Sequence, residues 1–371
     1  MDRLTVSAVK PRVLTVLPWF KTLGFSSNQP EKTKDRFMFR PLLTLMALAS
    51  AALVHAEAPV PDAAFAARWI EQAYLPRHQA LVAGSERFAE AAKAFCARPD
   101  QAGLEATRGA WREAMLAWRA MDGASGGPIV LERTGRMIDF RPTRTKDIEK
   151  RIASGAGVDP HNVSVRGLSA AEYLLYGDAQ PQAQLTRLKD KARCAYLQGS
   201  ASRALEDVHQ LDAGWALYVE QLQGEADFFR KNLFSETIGL MLSGIEGAIR
   251  RLPRVEEAQP DAWPDWRSDL TREAIGVQLD GFAVAYFGTG GGAGLATFVA
   301  AQGHDAVNAK VKAAYDAARK ALAALPADRA RSTEAQRAAL RTALSGLKQV
   351  VAGDVAVALD VVLGFNDSDG D

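Results

Sequence analysis

Apolar residues recur at steps of three and four along most of this chain, the signature of helices that bury one face. In 311–325 the stripe is Val311, Ala314, Tyr315, Ala318, Leu322 and Leu325. In 340–362 it is Leu340, Leu344, Leu347, Val351, Val355, Leu359 and Val362, which extends over about six turns. The segments 62–96, 104–121, 166–177, 184–222, 228–251 and 268–286 also read as helix. Strict apolar–polar alternation, the mark of strands, is scarce. Helix caps and breaks fall at Asp100, Pro128, Pro142, Pro181, Pro253, Pro264 and Pro326. The pattern predicts an all-α protein of two helical bundles, 57–222 and 223–371. The boundary is expected within 211–227, where Gly214 and Gly224 bracket a long helix. Two glycine-rich loops interrupt the pattern, Gly123–Pro128 and Gly288–Gly294. No Lys-Ser/Thr follows the second, so it is not a phosphate-binding loop and reads as a flexible connection or lid.

The beginning of the chain changes the picture. From Met38 the sequence carries Arg40, then an uncharged, mostly apolar run from Leu42 to Val54, then Val54-His55-Ala56. A positive start, a short apolar stretch and small residues at −3 and −1 form a secretory signal, with cleavage expected after Ala56. At about 1.5 Å per residue the run is too short to span a hydrocarbon core of roughly 30 Å. Residues 1–37 stand in front of an otherwise complete signal. They read as a mis-assigned extension with Met38 as the initiator, the alternative being a long n-region of the signal, and 57–371 reads as a periplasmic protein.

Charge and cysteines narrow the function classes. Setting aside the eight Lys/Arg and three Asp/Glu of 1–56 leaves 37 basic and 41 acidic residues. That balance lacks the basic face nucleic acid requires, and no later apolar run approaches membrane length. Cys96 and Cys194 are either a disulfide, natural in an oxidising compartment, or two buried thiols.

The stretch Gly167-Leu-Ser169-Ala-Ala-Glu172-Tyr173-Leu-Leu-Tyr176-Gly177 resembles the signature of imelysin-like proteins, classed as M75 peptidases. That signature is Gly-x-His-x-x-Glu followed by an aromatic, two apolar residues, an aromatic and Gly. Trp111 to Trp118, Arg193-Cys-Ala-Tyr-Leu197 and the ending Leu363–Asp371 are similar to other parts of the family. The resemblance spans essentially the whole chain after the signal. It implies a two-domain helical fold, export, and an association with iron or other metal acquisition. Gly167, Ser169, Glu172 and Tyr173 are then the motif's binding residues.

The departure is Ser169, where the family has histidine. His and Glu three apart share a helical face and suit a metal ion, whereas a neutral hydroxyl is a poor ligand beside imidazole or carboxylate. His78, His161, His209 and His304 are the histidines after the signal, and none pairs with another at metal-ligand spacing. A zinc peptidase site normally needs three protein ligands and a water, so no catalytic residue is assigned.

Glu172 nonetheless sits in an apolar helix, as do Glu246 and Asp280, and Asp139 lies within Met-Ile-Asp-Phe. Buried carboxylates must be paired or coordinating. Either the four converge on iron or another divalent ion, or each pairs with an arginine such as Arg141, Arg144 or Arg166. The alternating Asp367, Asp369 and Asp371 lack the later ligands of a calcium loop and read as a solvated or docked tail. Trp111 and Trp118 read as core, and the seven Lys/Arg of 133–151 as a solvated or docking face. The resulting expectation is a periplasmic binding or accessory protein for metal uptake, whose partner is a metal ion or an envelope protein, without a protease centre. The alternatives are an M75-type metallopeptidase with an altered ligand set, and an envelope docking module that binds no metal.

Overall fold

The computed structural model describes residues 59–177, 183–224, 227–254 and 262–363. Residues 1–37, the signal at 38–56 and the acidic tail fall outside them. Every regular element among the described residues is a helix and none is a strand.

Helix α1 (Ala63–Trp69) starts on Asp62, whose carboxylate accepts the Phe65 N–H at 2.7 Å and satisfies a donor that would otherwise be orphaned. It passes through a π-helical turn, Ile70–Tyr74, directly into α2 (Leu75–Ala97). The helix expected over 62–96 is therefore one rod with a π-turn inside it. Asp100 caps α3 (Gln101–Asp122) by accepting the Gly103 N–H. The α2–α3 hairpin closes tightly because Gly84 has no side chain: a Cβ there would lie 3.1 Å from the Ala114 Cα.

Short helices α4 (Pro128–Leu131), α5 (Gly135–Ile138) and α6 (Thr145–Ala153) lead to α7 (Gly167–Tyr176). The helix expected over 184–222 breaks in two, α8 (Gln184–Leu188) and α9 (Lys191–Gln223), because Asp190 caps the second through the Arg193 N–H. Gly214 does not open a helix; it lies inside α9, where a Cβ would approach the Pro128 Cβ to 2.6 Å. Close packing explains that glycine. Next come α10 (Phe228–Arg250), α11 (Thr271–Phe287), α12 (Leu295–Ala301), α13 (Asp305–Ala323) and α14 (Glu334–Val350). A capping box of Thr333 and Gln336 opens α14. A second π-turn, Val351–Val355, joins it to α15 (Ala356–Ala358).

The predicted stripes are buried: Val311, Ala318, Leu322 and Leu325 on one side, Leu340, Leu344, Leu347, Val351, Val355 and Leu359 on the other. Val362 departs from its stripe and is 86% exposed, since the helical register ends with α15. Helices from both sides of residue 223 share one core. Phe234 of α10 packs with tilted rings against Trp69 of α1 (6.1 Å between centroids) and Phe298 of α12 (4.5 Å). The Gly288–Gly294 segment folds upon itself and anchors to the π-turn, the Ala293 N–H donating to the Gln72 side chain at 2.8 Å. No helix among the described residues is long and apolar enough to cross a membrane. Of the two cysteine readings the disulfide holds: Cys96, near the end of α2, is bonded to Cys194 at the start of α9, with Cα atoms 5.5 Å apart.

Candidate functional site

Helix α7 is buried along nearly its whole length, Gly167 through Leu175. A helix apolar on all sides must lie inside the core, and here its ends are held by side chains from other helices. The Trp111 indole N–H donates to the Leu168 carbonyl at 2.9 Å, and Arg108 donates to the Leu175 carbonyl at 2.7 Å. Gly167 has φ +72°, and a Cβ there would lie 2.4 Å from the Ile138 carbonyl oxygen, so the motif's first residue must be glycine.

Glu172 has no exposed surface. Arg141 donates to one of its carboxylate oxygens at 2.7 Å, and the Ser268 hydroxyl and N–H donate to the other at 2.5 and 3.2 Å. The same guanidinium lies 3.3 Å from Asp139 and 3.4 Å from Asp265. Arg119 pairs with Asp139 at 2.6 Å and reaches Asp265 at 3.5 Å, while Arg251 pairs with Asp265 at 2.6 Å. Asp122 borders the group, 3.6 Å from Arg119 and 3.9 Å from Arg251, and accepts from Gln278. Three guanidiniums thus interlock with four carboxylates at a junction of α3, α7, α10 and the segments around Asp139 and Asp265.

The electrostatics follow. Burial pushes the Asp139 carboxyl up, but Arg119 and Arg141 outweigh it and hold the group below the usual carboxylate range. Burial opposes ionisation of Asp265 too, and Arg251, Arg141 and Arg119 together hold it well below its ordinary value. Burial lowers Arg141, but Asp139, Glu172 and Asp265 leave it more firmly protonated than a free guanidinium.

Of the sequence-predicted acids, the fold brings together Asp139 and Glu172. Glu246 lies elsewhere, paired with Lys348 at 2.7 Å, and Asp280 pairs with Arg319 at 2.8 Å on the surface. The four do not converge, and pairing with basic groups accounts for each. Arg166 joins Asp207 rather than the network, and Arg144 takes no part in it. Tyr173 points away from Glu172 to Glu149, its hydroxyl donating at 2.5 Å, and Arg187 and Arg193 complete that group. Ser169 is fully buried, and its hydroxyl has no hydrogen-bond partner among the described residues.

Arg119, Asp122, Arg251, Asp265 and Ser268 were not singled out in the sequence. Two of them carried a signal. Arg119 falls on the buried stripe of α3 with Trp111, Met115 and Trp118, and Asp265 stands in Trp263-Pro-Asp-Trp266.

The residues present at this junction do not fit a metal ion. A guanidinium fills the space between the three carboxylates, and neither imidazole nor thiolate takes part. Among the described residues no group of three or more His, Cys, Asp or Glu side chains is arranged to hold one.

Residues 74–352 match the family described as Imelysin, Peptidase M75. The chain belongs to the imelysin family. An imelysin-like protein from Psychrobacter arcticum 273-4 superposes with a TM-score of 0.66 at 17% identity, covering 81% of this chain and 96% of that one. A putative iron-regulated protein A precursor from Parabacteroides distasonis ATCC 8503 gives 0.65 at 18% identity, covering 80% and 94%. Iron-regulated protein A of Synechococcus elongatus is 26% identical over 113 residues, 30% of this chain and 31% of the relative. This imelysin-family member therefore shares the family's all-helical fold, while its signature helix is tied into an ion network.

One substitution tests that network from inside α7. Ser169→His restores the family's residue at a position with no exposed surface. The ring should overpack the helix, costing about 1–3 kcal/mol, without raising affinity for zinc or iron. Thermal melts beside calorimetric titration check both halves, and a tighter metal affinity would contradict the assignment.

Proposed function

We propose that this protein is a periplasmic binding or accessory component of an iron-acquisition system, and that its signature helix serves no proteolytic centre. The observation that carries this reading is Arg141, whose guanidinium lies among Glu172, Asp139 and Asp265. A hydrolytic metal centre needs an open coordination position and a bound water of lowered pKa. Carboxylates already bonded to guanidiniums offer neither. The network instead fixes the relative positions of α3, α7 and α10, which suits a scaffold that presents a surface or a ligand. The iron association is supported by the relatives named iron-regulated protein A, and export by the signal from Met38 to Ala56.

The test uses untagged protein isolated from the envelope of the source bacterium. Its N-terminus should be Glu57, and its abundance should rise when iron is withheld. It should leave an unfolded polypeptide uncut with or without zinc. Cleavage that needs zinc and disappears in Glu172→Gln would establish the metallopeptidase alternative and defeat this reading. Retention of residues 1–37 in the isolated protein would defeat its export.

A further inference from the structure

A second buried polar cluster lies apart from the α7 network, where the π-turn Ile70–Tyr74 enters α2. Single π-turns inside α-helices are frequent at functional sites. Tyr74 and His78, four residues apart on one helical face, both pack against Trp215 of α9, with ring centroids 5.9 and 6.0 Å away. The Arg77 guanidinium lies over the Tyr74 ring at 4.7 Å. From α10, Glu236 lies beside the backbone of Gly127. That glycine is wedged in the cluster: a Cβ on it would lie 2.8 Å from the Trp215 ring and 3.3 Å from Tyr218, and one on Gly126 3.0 Å from the Tyr74 ring. The glycine loop evident in the sequence is thus a close-packed wall of this cluster.

Five buried atoms here have no hydrogen-bond partner among the described residues: Tyr74 Oη, Arg77 Nη2, His78 Nδ1, Trp215 Nε1 and Glu236 Oε1. Thr237 and Arg77 lie beside the Tyr74 phenol without hydrogen-bond geometry. Native proteins leave few such groups, and each calls for a physical account. Their chemistry divides cleanly. His78 Nε2 faces the Asp212 carboxylate at 2.6 Å, and in the neutral imidazole that donates its proton there Nδ1 carries a lone pair. Carboxylate–imidazole pairs of this kind orient metal-binding histidines. Tyr74 Oη and Glu236 Oε1 also offer lone pairs, and Glu236 has no basic partner among the described residues. Arg77 Nη2 and Trp215 Nε1 offer only N–H. Arg77 gives its other donors to the carbonyls of Ala73, Ala120 and Gly281, with no carboxylate paired to it among the described residues.

A cation alone would satisfy the first set and leave the second, and an anion alone the reverse. We propose that Tyr74, His78 and Glu236 bind a hard trivalent cation, and that Arg77 and Trp215 hold the small oxyanion that accompanies it. Phenol oxygen and carboxylate select a hard, highly charged ion, and imidazole is compatible with iron. Binding releases the phenol proton to solvent and changes no oxidation state. The site deepens the iron-acquisition reading while sharing no residue with the α7 network.

The experiment adds ferric ion, as its nitrilotriacetate with bicarbonate, to the full exported chain carrying no polyhistidine tag. The expected result is one ion per chain with a visible phenolate-to-iron absorption band. Tyr74→Phe, which removes only the hydroxyl, should abolish the band while leaving the iron-free melting temperature unchanged. His78→Gln and Glu236→Gln should each weaken binding at least tenfold, and Glu172→Gln should leave the band intact. No bound iron would mean that buried water alone serves these atoms and would overturn the proposal. Iron bound without the band, or with a band that survives Tyr74→Phe, would overturn it by placing the ion elsewhere. Because the peptidase test reads Glu172 and this one reads Tyr74, failure of either is distinguishable from failure of the other.

Discussion

Arg141→Ala should destabilise the folded chain by about 3–5 kcal/mol, the cost typical of removing one partner from a buried ion cluster. The side chain neutralises Glu172, Asp139 and Asp265 together, and so ties α7 to the segments that carry the other two acids. Against a total stability of roughly 5–15 kcal/mol, the loss would be plain in a urea melt. Arg141→Lys should recover only part of it, because an ammonium cannot reach three carboxylates with a planar fork. The deficit should also depend on pH. In the native protein Asp139 and Asp265 are held below their ordinary values, so their contribution is present above the unfolded value near 4 and is lost as pH falls below it. Without Arg141 the same carboxyls take up protons at higher pH in the folded state. The gap between variant and parent should then narrow as pH falls from 7 towards 4. A deficit under about 1 kcal/mol that stays constant over that range would show the cluster to be energetically idle.

Helices were legible in the sequence because their stripes are buried on one side, as Leu340–Leu359 demonstrate. Their interruptions were less so. The π-turn at Ile70–Tyr74 leaves the apolar spacing almost unchanged, and the break before α9 rests on one capping aspartate. Gly214 misled for a similar reason: a glycine chosen for close approach to Pro128 looks, in sequence, like one chosen to end a helix. For the α7 site, the apolar surroundings of Glu172 and Asp139 announced buried charge, and Arg141 was a nameable partner. What the sequence could not supply was distance. Glu246 and Asp280 sit in equally apolar runs, yet each reaches a surface cation, Lys348 and Arg319, because long side chains at a helix edge escape the core. Asp265 and Arg251 meet Arg119 and Arg141 across more than a hundred residues of sequence, a non-local fact. The Tyr74 cluster was hidden for the opposite reason: Tyr74 and Trp215 pass for ordinary aromatic core, and nothing local in the sequence brings Glu236 to them.

Replacing both cysteines by alanine should lower stability by about 2–5 kcal/mol without altering the helical spectrum. The bridge joins residues 98 apart in sequence. In the chain-entropy account, closing a loop of roughly 100 residues removes about 4–5 kcal/mol of freedom from the unfolded chain. The folded state needs little of that help. α2 and α9 pack directly on each other, and Leu81, Leu197, Ala201, Val208 and Leu211 are buried in the same core, so the native arrangement survives without the bond. The effect should therefore fall on the unfolded ensemble, leaving the Trp111 and Trp215 environments unchanged. Alanine is the right replacement, since Cys194 is 4% exposed and a hydroxyl there would add an unpaired buried group. Urea melts of parent and variant, with the parent also measured after full reduction, give the comparison. The reduced parent should resemble the variant within about 1 kcal/mol. Equal midpoints for oxidised and reduced parent, or two alkylatable thiols in protein freshly isolated under denaturing conditions without reductant, would refute the assignment of the bridge as a stabilising bond.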